Sequence, residues 1–316
     1  MKHSRPSSPR LPVSQSSQAG WHYGFEAIGT AWAIDILEPV GKRLVNNLKR
    51  ATDELIDGFD RNYSRFRDDS LVSEMARAAG TYTLPEDAKP LLDFYKKLYD
   101  TTNGAVTPLI GQTLSDAGYD AAYSLQPGKL TAPPPWGDVL DYSFPTLTVK
   151  QPALLDFGAA GKGYLVDLVA QQLQQHGIKN YCVDAGGDMV YRTTADHALD
   201  VGLEHPADPA QAIGIVRLKN QSLCGSAGNR RSWGAYTHII DPHNLQSPKH
   251  IAGLWVVADN GLMADGLATA LFFTPAKTLQ KQYTFEYAIV YQDLSLEHSA
   301  HFPADFFTNR NSEDRP

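Results

Sequence analysis

The stretch "LLDFGAAGKGYLVD", residues 154–167, reads as a short apolar strand, three glycines around a lysine, and the start of a helix. Neither standard nucleotide-loop pattern fits it. A P-loop needs four residues between its first glycine and Gly-Lys-Ser/Thr, whereas only Ala159 and Ala160 separate Gly158 from Gly161, and Gly163 follows Lys162. The G-x-G-x-x-G fingerprint fails as well, because no glycine stands three residues beyond Gly163. Two readings remain open. In one, bare glycine backbone, helix N–H groups and Lys162 hold an anionic ligand beside Asp156. In the other, this is a tight strand-to-helix turn with a solvated lysine.

The surrounding chain has the composition of a water-soluble globular protein. Its 316 residues are 42% hydrophobic and 20% charged, with a mean hydropathy of -0.32. A net charge of -7, without a block of like charges, argues against nucleic acid or a polybasic membrane surface as partner. No apolar run approaches the ~18 residues of an integral membrane segment. Residues 1–20 lack the apolar centre of a secretory signal and read as a disordered tail. Residues 308–316 read as a second polar tail, leaving 21–307 as one domain. Cys182 and Cys224 lack metal-ligand spacing and read as reduced core residues. The expectation is a cytoplasmic protein, or a periplasmic one if the chain is a trimmed mature form.

Periodicity predicts a strand over 27–37, helices over 40–58, from Ser70, and over 86–101, and an exposed loop over 124–138. It then predicts strands at "ALLDF" (153–157), "NYCVDA" (180–185), 199–203, 213–218, 236–240, 254–258 and 285–291. A helix starting near Lys162 ends at Gly177, and another, "MADGLATALFF" (263–273), ends before Pro275. Helices and strands mix without strict alternation, so the fold class is α+β.

Four further stretches could carry chemistry. "NYCVDAGGDMV" (180–190) runs a strand into Gly186-Gly187, either a hairpin turn or a backbone surface for a flat ring or phosphate. "YTHIIDPHN" (236–244) places His238 and Ile240 on one side of a strand and Ile239 on the other; His238 is then either structural or catalytic. In "MADGLATALFF", Asp265 and Thr269 are i and i+4 on a helix, a hard-oxygen pair suited to Mg²⁺. The alternative there is a helix N-cap and a threonine bonded back to its own helix. "CGSAGNRR" (224–231) is either a plain loop or the wall of a cleft.

In their order along the chain, these stretches resemble the FAD:protein FMN transferase family, the ApbE-like flavin transferases. That pattern runs approximately Gly-Thr-Thr, Ser-Thr-Tyr-Arg-Pro-Asp-Ser, Gly-Gly-Ala-Phe-Asp, Asp-Leu-Gly-Ala-Ile-Ala-Lys-Gly-Tyr, Gly-Gly-Asn, Ser-Gly-Asn/Asp, His-Ile-Ile-Asp-Pro and Ala-Asp-Ala-Leu-Ala-Thr-Ala. This chain has "GTAW" (29–32), "SRFRDDS" (64–70), "NGAVTP" (103–108), "DFGAAGKGY" (156–164), "GGD" (186–188), "AGN" (227–229), "HIID" (238–241) and "ADGLATA" (264–270). "HIIDP" and "ADGLATA" are the most specific, and the similarity covers residues 27 to 290. The resemblance implies an α+β fold with FAD in a cleft and Mg²⁺ at its pyrophosphate. The metal would be held by the Ala159 carbonyl, Asp265 and Thr269. FAD would be contacted by Ile28, Phe66, Ala105, Val106, Thr107, Asp156, Lys162 and Ile240, and His238 would handle the proton. The implied reaction moves the FMN part of FAD to a Thr/Ser hydroxyl in the flavinylation motif of an acceptor flavoprotein, through a phosphoester bond, and releases AMP.

The chain departs from the pattern at several places. Val106-Thr107 replaces Phe-Asp, which removes an acid; Phe66 replaces Tyr, Phe157 replaces Leu and Gly161 replaces Ala. "GGD" in place of Gly-Gly-Asn puts a carboxylate near the flavin. The same site could serve an FAD pyrophosphatase yielding FMN and AMP, or a non-catalytic FAD-binding protein. Asp265-x-x-x-Thr269 also loosely fits an acceptor motif, but it coincides with the metal motif on an apolar helix.

Overall fold

Eight antiparallel strands form the main sheet of the computed structural model, which describes residues 20–228 and 231–307. In spatial order they are Trp21–Ala27, Thr30–Ile36, Tyr181–Ala185, Met189–Arg192, Ser222–Ala227, Ile251–Ala258, Glu286–Tyr291 and Leu296–His298. The tails expected over 1–20 and 308–316 lie outside the described residues apart from Gly20, as do Asn229 and Arg230.

The helices Gly161–Gln175 and Gly261–Ala270 pack together against this sheet, with Lys42–Tyr63 and Ala88–Thr101 outside them. A ribbon of Leu199–His205, Asp208–Leu218 and Ala304–Phe306 closes a second core with the strands. Alternation assigns the strand residues to the two cores. Val183, Cys224 and Val256 join the helix-side core, whereas Cys182, Leu223 and Val257 meet Leu203, Val216 and Leu218. Covered on both faces, Tyr181–Ala185 is buried throughout and reads as an unbroken apolar run rather than an alternating one. Both cysteines are buried, as expected of core residues.

Several expectations need correcting. The predicted 27–37 strand is the second arm of a hairpin whose first arm, Trp21–Ala27, was missed. The signal was present, since Trp21, Tyr23 and Phe25 alternate with exposed residues and stack successively. "ALLDF" is not a strand. Its backbone is tied to helical segments instead, Ala153 N–H donating to Met75 O in the helix Leu71–Arg77 (3.0 Å) and Asp156 N–H to Pro108 O in the turn Pro108–Ile110 (2.7 Å). The 124–138 loop ends in a helical turn, Trp136–Val139, with Trp136 buried. The 236–240 strand stops at Thr237, whose hydroxyl accepts the Ile239 N–H (3.1 Å) and breaks the ladder. Ile239 and Ile240 are consequently both buried, in different clusters, rather than on opposite sides of a strand.

Candidate active site

Close approach of two helices builds the centre of the site. A Cβ on Gly163 would overlap the Gly261 carbonyl oxygen and stand 2.6 Å from the Asp265 Cβ. Only glycine permits this crossing. Across it, Gly163 N–H donates to Asp265 Oδ2 (2.8 Å). The Asp167 carboxylate in turn accepts the N–H groups of Gly261 (2.7 Å) and Leu262 (2.8 Å). Asn260 is the true N-cap of the second helix, its Oδ1 accepting Met263 N–H at 2.9 Å. Asp265 therefore does not cap its helix, and its carboxylate belongs to the crossing. Thr269 does not bond back to its own helix either: its hydroxyl donates to Ala159 O at 3.1 Å, across 110 residues of sequence.

The fold thus gathers a backbone carbonyl, a carboxylate and a hydroxyl from two elements. Among the described residues no cluster of three His, Cys, Asp or Glu side chains is arranged to hold a metal, so any cation here rests on this mixed set. Burial first, then the negative charge of Asp188, holds the Asp265 carboxyl well above the usual carboxylate range, against Lys162 and the Gly163 N–H. A buried carboxylate facing another carboxylate fits a site for a hard cation.

Asp188, which the sequence placed near the flavin, is paired with Lys162, a pairing that sequence reasoning did not foresee. Gly186 (φ 69°) and Gly187 (φ 103°) turn the chain between two strands of a hairpin. The hairpin reading of this stretch therefore holds, and its product is chemical. Asp188, 1% exposed, forms a short ion pair with Lys162, and its other oxygen accepts Gly225 N–H at 3.3 Å. The carboxylate expected near the flavin thus lies under Lys162. Burial opposes the lysine's charge, but Asp188 and Asp265 outweigh it and keep its pKa above the ordinary value.

Asp156 faces a residue that sequence reasoning missed. Its Oδ2 accepts Arg65 Nε–H at 2.5 Å in a buried ion pair, and its Oδ1 accepts Gly158 N–H at 2.7 Å. Arg65 stands one position before Phe66 in "SRFRDDS", but with Arg67 on the other side of Phe66 the sequence gave no reason to choose it.

The other expected contacts surround these groups unevenly. Ala105 and Val106 are buried, and Thr107 caps the Pro108–Ile110 turn, its hydroxyl accepting Leu109 N–H at 3.2 Å. This turn abuts Asp156 through the Pro108 carbonyl. Phe66 and Ile240 share a small aromatic cluster with Tyr119 and Trp233. Ile28 and Gly29 form a two-residue hairpin turn with φ of 43° and 75°. That conformation is strained for a β-branched residue. The turn lies beside Arg231, since a Cβ on Gly29 would stand 3.8 Å from its guanidinium. Arg231 also donates to the Tyr119 hydroxyl (2.7 Å) and accepts the His238 backbone N–H through its carbonyl (3.2 Å).

His238 is half-buried, with Nδ1 enclosed and unpaired among the described residues. Burial, then the Arg231 charge, lowers its pKa to about 4, and Lys162 and Asp156 are near enough to act on it as well. Its imidazole is therefore neutral at physiological pH and able to accept a proton.

The Asp265 environment makes a prediction about pH. A carboxyl whose folded pKa exceeds its unfolded value holds its proton longer in the native state, so stability falls as pH rises between the two values. The window here runs from the ordinary aspartate value of 3.8 to about 8. In EDTA the melting temperature is expected to decline across it more steeply for wild type than for Asp265→Asn. Equal slopes in the two proteins would remove Asp265 as the cause.

Comparison with known proteins shows the same fold in solved structures. Vibrio cholerae flavin transferase ApbE superposes with a TM-score of 0.73 at 19% identity, covering 90% of this chain and 98% of that one. The apbe protein of Thermotoga maritima gives 0.77 at 20%, covering 91% and 100%. In sequence, the FAD:protein FMN transferase of Klebsiella pneumoniae is 25% identical over 285 residues, spanning 84% of this chain and 81% of that protein. The Vibrio cholerae protein of the same name is 24% identical over 272 residues, spanning 79% and 80%. A model of the ApbE family matches residues 28–287, from the strained hairpin turn through the helix crossing to the strand beyond it, and on that match the chain belongs to the ApbE family.

Proposed function

We propose that this chain is an FAD:protein FMN transferase, moving the FMN part of FAD onto a Thr or Ser hydroxyl of an acceptor flavoprotein and releasing AMP. The observation that carries this reading is the meeting of the Ala159 carbonyl, Asp265 and Thr269 beside the Lys162–Asp188 pair. A divalent cation such as Mg²⁺ would be held by those three oxygens and, when bound, would neutralise charge on the pyrophosphate. Lys162, fixed by Asp188, adds a positive charge on the same side. Asp156, the Ile28 turn, Phe66, Thr107 and Ile240 line the path of the dinucleotide. His238, neutral because its pKa is near 4, accepts the proton of the acceptor hydroxyl. The acceptor oxygen bonds to the FMN phosphorus as the bridging P–O bond breaks, and AMP leaves with the bond's electron pair.

The protein is incubated with FAD, Mg²⁺ and an acceptor, and acceptor mass and AMP are followed together. A mass gain of one FMN matched by AMP supports the transferase; free FMN and AMP alone mean a pyrophosphatase; no product means a binder. His238→Ala is expected to slow transfer by about 10²–10⁴-fold, the usual worth of a positioned base, with FAD affinity little changed. An unaltered rate would reassign the proton.

A further inference from the structure

Phe66 carries two neighbours for which the transfer reaction as described has no role. Tyr123 stacks on it with ring centroids 5.2 Å apart and planes 15° from parallel, yet Tyr123 is 51% exposed. The Arg65 guanidinium lies 4.2 Å from the Phe66 centroid and 5.0 Å from that of Tyr119. Nε of Arg65 is satisfied by Asp156, but its Nη2 is enclosed with no hydrogen-bond partner among the described residues. A buried donor on a charged group is costly to leave unpaired and calls for an acceptor.

The loop that carries Tyr123 is built under strain. Tyr123 and Leu125 have φ of 52° and 53°, in the left-handed region that non-glycine residues rarely occupy. Leu125 N–H donates to Gly118 O at 2.8 Å and closes the loop on itself. Ala121 of this loop borders an open cleft of about 800 Å³ that also takes in Arg65, Phe66 and Arg77. The sequence shifts charge toward the same place. Where the family pattern reads Thr, this chain has Arg65, and where it reads Asp, this chain has Thr107. Asp68 stands where the pattern reads Pro and borders the same cleft, so an acid is lost at Thr107 and a cation gained at Arg65 while an acid is added at the rim.

We propose that the Tyr123 ring and a planar heteroaromatic ring of FAD compete for the same face of Phe66, and that Arg65 Nη2 is the donor for the acceptor edge of the incoming ring. Both the flavin, through its carbonyl oxygens, and the adenine, through its ring nitrogens, offer such an edge and a flat face to stack. The inference rests on the FMN-transfer reading in requiring FAD as the ligand. It goes further by naming a displaced side chain and a recognition donor specific to this chain.

Direct binding tests it without turnover. FAD, FMN and ADP are titrated by calorimetry into wild type, Tyr123→Ala, Tyr123→Phe and Arg65→Lys. Removing the competing ring is expected to lower the FAD Kd by about threefold or more, since the competent fraction of molecules rises, while Tyr123→Phe matches wild type. Arg65→Lys keeps the charge opposite Asp156 but loses the planar fork, and is expected to raise the Kd by about tenfold. A Tyr123→Ala gain seen with FMN assigns the flavin to Phe66, and one seen with ADP assigns the adenine. An unchanged or weaker Kd in Tyr123→Ala, an exposed site whose truncation leaves the fold intact, overturns the competition; an unchanged Kd in Arg65→Lys overturns the donor. Wild type that binds no FAD overturns both this inference and the transferase reading. Normal FMN transfer with indifferent variants overturns this inference alone.

Discussion

Asp265→Asn is expected to lower FMN transfer at least ~10³-fold while the protein remains folded. The carboxylate is the one formal charge among the three oxygens gathered at the helix crossing. A bound cation contributes several kcal/mol of charge stabilisation in phosphoryl chemistry, and each ~1.4 kcal/mol is a factor of ten in rate. Asn keeps the volume and an oxygen for the Gly163 N–H, which Asp265 accepts at 2.8 Å. It also removes a carboxyl whose ionisation burial and Asp188 oppose, so the fold has no reason to fail. Mg²⁺ titration by calorimetry should lose its signal together with the rate. Transfer within tenfold of wild type would show that the metal set lies elsewhere.

Gly163→Ala has the largest expected effect on stability. In a helix an alanine normally gains up to ~1 kcal/mol over glycine. Here its Cβ would meet the Gly261 carbonyl and stand 2.6 Å from the Asp265 Cβ. Neither is the end of a flexible side chain, so the two helices must separate, and overpacking of this kind costs about 3 kcal/mol. For a domain of this size that lowers the melting temperature by roughly 5 °C. Gly58→Ala is the contrast, because it lies within the Lys42–Tyr63 helix and its Cβ would meet nothing within 4 Å. That variant is expected to melt slightly above wild type. A Gly163→Ala protein as stable as wild type would mean that the crossing tolerates a wider spacing.

The helices were legible because their apolar faces repeat. Leu48, Ile56 and Phe59 are buried along one side of Lys42–Tyr63, and Ser70 accepts the Ser73 N–H at the start of Leu71–Arg77 as its position suggested. The short extended segments were less legible. "ALLDF" has the composition of a strand, but its hydrogen bonds run to carbonyls of the helix Leu71–Arg77 and the turn Pro108–Ile110. No local pattern announces which distant carbonyl a backbone N–H will find. The 236–240 strand failed for a local reason, a threonine hydroxyl that competes with the ladder.

The sequence by itself determined the order of the chemical motifs and the mixture of helix and strand. Those depend on residue type and spacing, which the chain carries without folding. Tertiary structure alone decided what the motifs touch. It turned Thr269 away from its own helix to Ala159, placed Asp188 beneath Lys162, and set Arg65 against Asp156. Such pairings join residues tens of positions apart and are fixed by burial, where an unpaired charge or donor is too costly to leave. "DFGAAGKGY" is accordingly the N-terminal half of a helix crossing. Its glycines admit a second helix, and that helix brings the carboxylate and hydroxyl that the loop itself lacks.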